Sequence, residues 1–234
     1  TTFSSLTATG GTWRLYVNDQ GAGDIGSLTA FSINLTSSVT KLSHLSFYNL
    51  IVNNTGAGIV SNDTITIIKD MDFTDGIVDI GAHEVRFLDD ATSEAGNNGS
   101  HVNGQVRKVG NNAFSFPIGD GTYAGQCGIS APSNASDEFT ANYTRQSPLT
   151  ANYYPMATDG TIANVSEAEY WNIDRVVGTS NVSVSLSYEN VRSQGVANPD
   201  SLIVAHWTGA QWKNEGRSAS FVTPYTGITS SAAI

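Results

Sequence analysis

Apolar residues in this chain come in short runs, and polar corners interrupt them every few residues. The stretch 182–188 alternates apolar and polar residues, and in the stretch 13–17 Trp13, Leu15 and Val17 share one face. Corners rich in Gly, Asn and Asp separate such runs, and no apolar window has the length of a helix. Alternation with a period of two places one face of each strand in a core, so the pattern predicts an all-β chain.

Charge and length narrow the classes of function. The formal net charge is -10, which repels phosphate backbones and anionic lipid, so we expect neither nucleic-acid binding nor direct membrane insertion. No apolar run approaches the roughly 20 residues that span a bilayer. Cys127 is the only cysteine, which excludes an intrachain disulfide, and we interpret it as a plain core residue.

The chain divides into three segments by strand spacing. Residues 1–36 are predicted to be strands joined by a glycine-aspartate turn. Residues 37–104 carry short strands at close, irregular intervals, which favours rungs of a β-solenoid, with a meander as the alternative. Residues 105–234 predict a β-sandwich that includes a hairpin around Thr208 and Gly209 and a long loop between 145 and 167.

The first segment resembles a known module. Gly11-x-Trp13-x-Leu15-x-Val17-x-Asp19, followed by Gly23-Asp24-x-Gly26-x-Leu28, is similar to the C-terminal third of the P-domain, the jelly roll that follows the catalytic domain of subtilisin-like proprotein convertases. The match covers residues 11–35 and departs from the family at Phe31, where Trp is more common. The resemblance implies that residues 1–36 are the end of a jelly-roll module whose earlier part precedes Thr1.

A second resemblance covers roughly residues 42–215. Its landmarks are the runs 71–81 (MDFTDGIVDIG), 101–108 (HVNGQVRK), 114–121 (FSFPIGDG) and 168–173 (AEYWNI). They are similar to a recurring unit of large proteins that Bacteroidota export through the type IX secretion system, some of which are adhesins or gliding-motility proteins. The resemblance implies an extracellular or cell-surface location and a longer parent protein, and it carries no chemistry onto particular residues.

Calcium is the candidate cofactor. Asp70, Asp72 and Asp75 lie within six residues of one another, and closely spaced carboxylates at a turn supply the hard oxygen ligands that calcium binds. The spacing is not that of an EF-hand loop, and a solvated strand face is the alternative. The P-domain resemblance implies a second calcium site at Asp19 and Asp24, for which capping of the turn is the alternative.

Catalytic motifs do not emerge from the sequence. It contains no hydrolase elbow, phosphate-binding loop or dinucleotide fingerprint. The histidines have no zinc-pair spacing, and we interpret His44, His83, His101 and His206 as ordinary surface or strand residues. Glu167 and Glu169 are predicted to project from one strand face into solvent.

Aromatic residues provide the test for carbohydrate binding. Tyr170, Trp171, Trp207 and Trp212 would stack sugars if they were coplanar on one face. Trp207 and Trp212 flank the predicted hairpin, and cross-strand pairing in a core is the alternative use of such residues.

These observations predict a non-catalytic structural or adhesive segment of a secreted or cell-surface protein. It would act as a spacer or interaction module, with adhesion or gliding as the linked processes. Its partners would be other domains of the same polypeptide, surface glycans or proteins. The alternatives are the accessory region of a secreted protease, with a catalytic domain before residue 1, and a glycan-binding module.

Overall fold

The computed structural model describes residues 40–42, 45–54, 58–221, 226–230 and 233. The jelly-roll end predicted for residues 1–36, with its candidate calcium ligands Asp19 and Asp24, lies outside the described residues, and so does His44. The described residues form strands, turns and two short 3-10 helices, Pro148–Ala151 and Pro199–Ser201. The prediction of an all-β fold is confirmed.

Seventeen strands follow one another along the described residues. They are β1 Thr40–Leu42, β2 Leu45–Asn53, β3 Ile59–Ser61, β4 Ile65–Asp75, β5 Val78–Phe87, β6 Thr92–Ser93, β7 Val102–Val109, β8 Phe114–Phe116, β9 Ile118–Gly119, β10 Cys127–Ile129, β11 Glu138–Thr144, β12 Tyr170–Val177, β13 Val184–Ser187, β14 Ala205–Trp207, β15 Trp212–Asn214, β16 Ala219–Phe221 and β17 Gly227–Thr229. They form a ten-stranded mixed sheet, a five-stranded sheet in the order β16-β17-β13-β10-β8, and the two-stranded β14-β15.

The first part of the mixed sheet is a β-solenoid. One parallel ladder joins Thr40, Ile59, Val78, Val102 and Ile118 in register. A second parallel ladder joins Leu45, Ile65, Val85 and Val106. Successive partners in each ladder lie about 20 residues apart along the chain, which is the period of a solenoid rung. The rungs predicted from strand spacing therefore pair as a solenoid, and the meander alternative is wrong.

Buried side chains stack from rung to rung inside the solenoid. Phe47, Ile67, Phe87 and Lys108 occupy successive in-register positions. Lys108 is buried at the end of this stack, where its ammonium donates to the carbonyl oxygens of Leu88 at 2.8 Å and Ala91 at 2.9 Å. Burial lowers the pKa of Lys108 to about 8, because the interior disfavours its charged form.

The solenoid passes into the sandwich through β7. Its residues 106–109 pair antiparallel with β11, and β11 pairs antiparallel with β12. The five-stranded sheet packs against the mixed sheet, where the ring centroids of Phe87 in β5 and Phe114 in β8 lie 5.0 Å apart. One hydrophobic cluster contains buried residues from both parts. Cys127 is buried in it, as predicted, and burial raises the pKa of its thiol.

The segment boundaries stay predictions. β7 runs across the predicted division at residue 104, so the two segments share a strand as well as a core. Within the part of the chain that the structure describes, no helix is long and apolar enough to cross a membrane.

Candidate functional site

The acidic residues of β4 were the candidate calcium ligands in the described part of the chain. Asp70 accepts a hydrogen bond from the Thr92 hydroxyl, and Glu94 accepts one from the Phe73 amide at 3.2 Å. Burial, a hydrogen bond with Asp70 and the charges of Asp70 and Glu94 raise the pKa of Asp72. The structure thus brings Asp70 and Asp72 together with Glu94, a residue that the sequence analysis did not include.

Asp75 is the last residue of the same strand. It pairs with Asn53 in the ladder, beyond a register shift, and its backbone carbonyl accepts the Asn54 amide at 2.8 Å. Among the described residues, no three His, Cys, Asp or Glu side chains form a group with the arrangement of a metal site. Calcium binding by Asp70, Asp72 and Asp75 stays a prediction.

The prediction that Glu169 projects into solvent is wrong, because its side chain is buried. Its carboxylate is buried and forms an ion pair with the fully buried Arg192, and it accepts hydrogen bonds from the Tyr143 hydroxyl at 2.6 Å and from the Ser193 hydroxyl. Glu169 also precedes β12 and does not share a strand face with the exposed Glu167. A guanidinium 23 residues further along the chain supplies the opposite charge that makes burial of Glu169 tolerable.

Trp171 packs into the core of the sandwich. Its indole N–H donates to the Gly125 carbonyl at 2.6 Å, and its ring lies 5.5 Å from that of Tyr143. The Arg192 guanidinium lies 5.7 Å from the Trp171 ring centroid. Because its donor and its ring both have partners, Trp171 has a packing role against the core, and no ring contact joins it to Trp207 or Trp212.

His101 is fully buried at the end of the solenoid. Its Nε2 accepts the Gly121 amide at 3.0 Å, so its proton lies on Nδ1, 3.0 Å from the Asn97 carbonyl. Burial lowers the pKa of His101. An ordinary strand or surface residue was expected at this position, whereas this imidazole joins two turns of the chain. His83 is exposed, and His206 lies 3.4 Å from the Glu215 carboxylate.

Five aromatic side chains form a second group, which we call the aromatic cluster: Tyr153, Tyr154, Tyr170, Trp207 and Trp212. Trp207 and Trp212 pair across the predicted hairpin with ring centroids 5.6 Å apart. Tyr153 lies 5.8 Å from Trp207, 6.4 Å from Trp212 and 5.7 Å from Tyr170. Tyr154 lies 6.4 Å from Trp207. The rings are tilted or perpendicular to one another, so the coplanar arrangement that the sequence analysis considered is absent from these pairs.

Local sequence explains how the two halves of the aromatic cluster meet. The hairpin turns at Gly209, whose φ of 93° favours glycine, and the Thr208 hydroxyl donates to the Gln211 carbonyl at 2.8 Å. On the other side, Ser147 caps the 3-10 helix Pro148–Ala151, and Asn152 ends it in a left-handed conformation with φ 62°. The chain then reverses, which carries the two tyrosines of residues 153 and 154 toward the hairpin.

Backbone hydrogen bonds hold this loop against the hairpin. The Trp212 amide donates to the Ala157 carbonyl at 2.7 Å, and the Asp159 amide donates to the Trp212 carbonyl at 2.9 Å. The Asp159 carboxylate in turn accepts the Asn214 amide at 2.9 Å and the Thr161 hydroxyl at 2.7 Å. These bonds lower the pKa of Asp159, with the Asn214 amide as the largest cause, so its charge persists at neutral pH.

One buried polar atom of the aromatic cluster has no partner in the part of the chain that the structure describes. Trp212 is 7% exposed, and its indole Nε1 forms no hydrogen bond with any described residue. A buried donor without an acceptor costs about 1–3 kcal/mol. Trp171 differs in this respect, because its N–H donates to the Gly125 carbonyl at 2.6 Å. The sequence alone did not distinguish these two tryptophans.

Tyr153 and Tyr154 were missed by sequence reasoning. The signal that would have found them is a pair of aromatic residues in the loop between Pro148 and Pro155, where a core strand was not expected. The arrangement places the exposed ring of Tyr154 next to the partly exposed ring of Trp207. No protein-family model matches this chain, and no curated protein or solved structure matches it either.

Proposed function

We propose that this chain is a non-catalytic structural and adhesive segment of a secreted or cell-surface protein, in which it acts as a rigid spacer. The observation that carries the proposal is the continuity of one hydrogen-bonded sheet from β1 to β12. Its parallel rungs pass through β7 directly into the antiparallel strands of the sandwich. A flexible joint between two parts of a chain forms where few contacts cross from one part to the other. A strand that is hydrogen-bonded in both parts adds many such contacts, so we expect the two parts to move together.

Charge contacts across the strands support the same proposal. On the outer face of the mixed sheet, Arg107 of β7 bonds Glu84 of β5 at 2.8 Å and Glu138 of β11 at 2.9 Å. Arg86 of β5 bonds Glu138 at 2.8 Å. One exposed ion pair contributes little to stability. Here Arg107 and Glu138 each take part in two ion pairs, and such a network resists relative motion of the three strands. This network joins the last solenoid rungs to the sandwich.

Distance measurements between spin labels test the rigidity. Cysteines at Tyr48 on β2 and Val176 on β12 place labels at two exposed positions in the solenoid and the sandwich. The native Cys127 is buried and its thiol pKa is raised, so it resists labelling under mild conditions. The variant Cys127→Ala with the same two labels controls for residual reaction at this thiol.

The spacer proposal predicts one narrow distance distribution. Its width should match that of a control pair within the solenoid, with labels at the exposed Tyr48 of β2 and His83 of β5, because both pairs would then report only the motion of the label itself. A distribution between Tyr48 and Val176 that is broad or has several maxima, beside a narrow control, would show a joint between the two parts and overturn the proposal.

A further inference from the structure

The solenoid rungs that precede β7 are not joined to one another equally. The first rung consists of β1 and β2, the second of β3 and β4, and the third of β5 and β6. The first two rungs are joined along nearly the whole of β2, from Leu45 to Asn53. The second rung pairs with the third only over the short stretches Ile59–Val60, Ile65–Ile67 and 70–71. The boundary between the second and third rungs is therefore held by the shorter ladders.

Like charges also meet at the boundary between the second and third rungs. Asp70 and Asp72 lie on β4, and Glu94 follows β6 and accepts the Phe73 amide at 3.2 Å. The charges of Asp70 and Glu94 both act on Asp72. Repulsion among these carboxylates opposes the attraction that the short ladders supply. This boundary is consequently the weaker of the two between the first three rungs.

The third rung is fixed to the sandwich. In the turn that follows β6, the Asn98 side chain accepts the Ala124 amide at 2.9 Å, and the Ala95 carbonyl accepts a hydrogen bond from the Gln126 side chain at 3.1 Å. The buried ammonium of Lys108 on β7 donates to two carbonyls in the loop between β5 and β6. The third rung is thus held by partners in β7 and in the sandwich as well as by the second rung.

We propose that the solenoid is an extensible tether, in which tension separates the first two rungs as one unit from a third rung that stays on the sandwich. The separated pair of rungs then unravels, because at least three stacked repeats are needed for stability. The inference goes beyond the proposed spacer, which describes the segment at rest. Spin-label distances report the resting protein and a pulling experiment reports the loaded one, so the two proposals fail separately.

The chain length in the two rungs sets the size of the expected extension. Tyr48 lies on β2 in the first rung, and Val78 begins β5 in the third. The chain between them, about 30 residues at roughly 3.3–3.6 Å each, reaches roughly 100 Å when extended. Unfolding of the sandwich releases a much longer stretch, so the two events are distinguishable by length.

Pulling on single molecules of the whole chain with optical tweezers tests the inference. Handles are attached through Tyr48→Cys on β2 and Val176→Cys on β12, both at exposed positions, with Cys127→Ala in the background. We expect a first gain in contour length of roughly 100 Å that reverses on relaxation, followed at higher force by one longer event. The control pair, His83→Cys on β5 with Val176→Cys, leaves the first two rungs outside the loaded stretch and should give the longer event alone.

Three outcomes would overturn the inference. One is a single event that unfolds the whole loaded stretch, because the first two rungs would then be attached as firmly as the sandwich. Another is a first gain that divides into two smaller steps, because the rungs would then leave one at a time. The third is a step of roughly 100 Å in the control pair as well, because the break would then lie within the third rung or the sandwich.

Discussion

Lys108 closes a stack of apolar side chains, and its burial makes the stability of the protein depend on pH in a measurable direction. Its folded pKa is about 8, against an ordinary value of 10.5. Between these values the unfolded chain binds a proton that the folded protein does not, so the free energy of unfolding rises with pH. The gain between about pH 7 and about pH 9.5 amounts to about 2 kcal/mol.

The substitution Lys108→Met isolates this contribution. Methionine fills a similar volume and does not titrate, so the variant should lack the rise that Lys108 provides, whatever its absolute stability. The assay is urea denaturation of both proteins at half-unit steps of pH, with the difference in unfolding free energy plotted against pH. Other groups, including the buried Cys127, titrate equally in both proteins and cancel in the difference.

The unfolding free energy of the parent should rise relative to that of the variant by about 2 kcal/mol between about pH 7 and about pH 9.5. The exposed Lys69→Met serves as the control for removing a lysine from the surface of the protein. A flat difference for Lys108→Met would refute the reasoning, because it would mean that Lys108 has the same pKa in the folded and unfolded states.

Three further predictions concern single side chains. The folded pKa of His101 is lowered, so its stabilising effect is present above its ordinary value of 6.5 and is lost as pH falls below that value; His101→Gln should remove this part of the pH dependence in urea titrations. Glu169→Gln leaves Arg192 buried without its counter-charge and should cost about 3–5 kcal/mol by chemical denaturation; a loss below 1 kcal/mol would contradict the buried ion pair. A side chain on Gly125 would overlap the Tyr143 ring, so Gly125→Ala should lower the unfolding free energy by about 1–3 kcal/mol; unchanged stability would show that the ring moves aside.

Local pattern predicted the strands of this protein well. Alternation in the stretch 182–188 predicted β13, and the turn at Thr208 and Gly209 predicted the hairpin of β14 and β15, each close to its observed position. It also predicted rungs between residues 37 and 104, since polar corners recur at short intervals. It left the choice between solenoid and meander open, because pairing partners in a solenoid lie a whole rung apart along the chain.

Charged residues inside the protein could not be predicted from local pattern. Lys108 follows Val106 at strand spacing, so alternation predicts a buried side chain, whereas its charge predicts an exposed one. The side chain is buried because its ammonium donates to the carbonyls of Leu88 and Ala91. Glu169 is buried because Arg192 meets it from another part of the chain. Such partners come close only once the strands are assembled. The hydrogen bonds and opposite charges that they supply determine the free-energy cost of burying a charged side chain.

The candidate site divides in the same way. The sequence by itself determined that the protein is all-β and acidic and that Trp207 and Trp212 flank a hairpin. These features depend only on composition and on residues that are neighbours along the chain. Only the tertiary structure decided that Trp171 packs against the core, that Tyr153 and Tyr154 join Trp207, and that the Trp212 N–H has no partner among the described residues. The physical reason is that hydrogen-bond satisfaction and exposure depend on which distant segments pack together, and local periodicity carries no information about that.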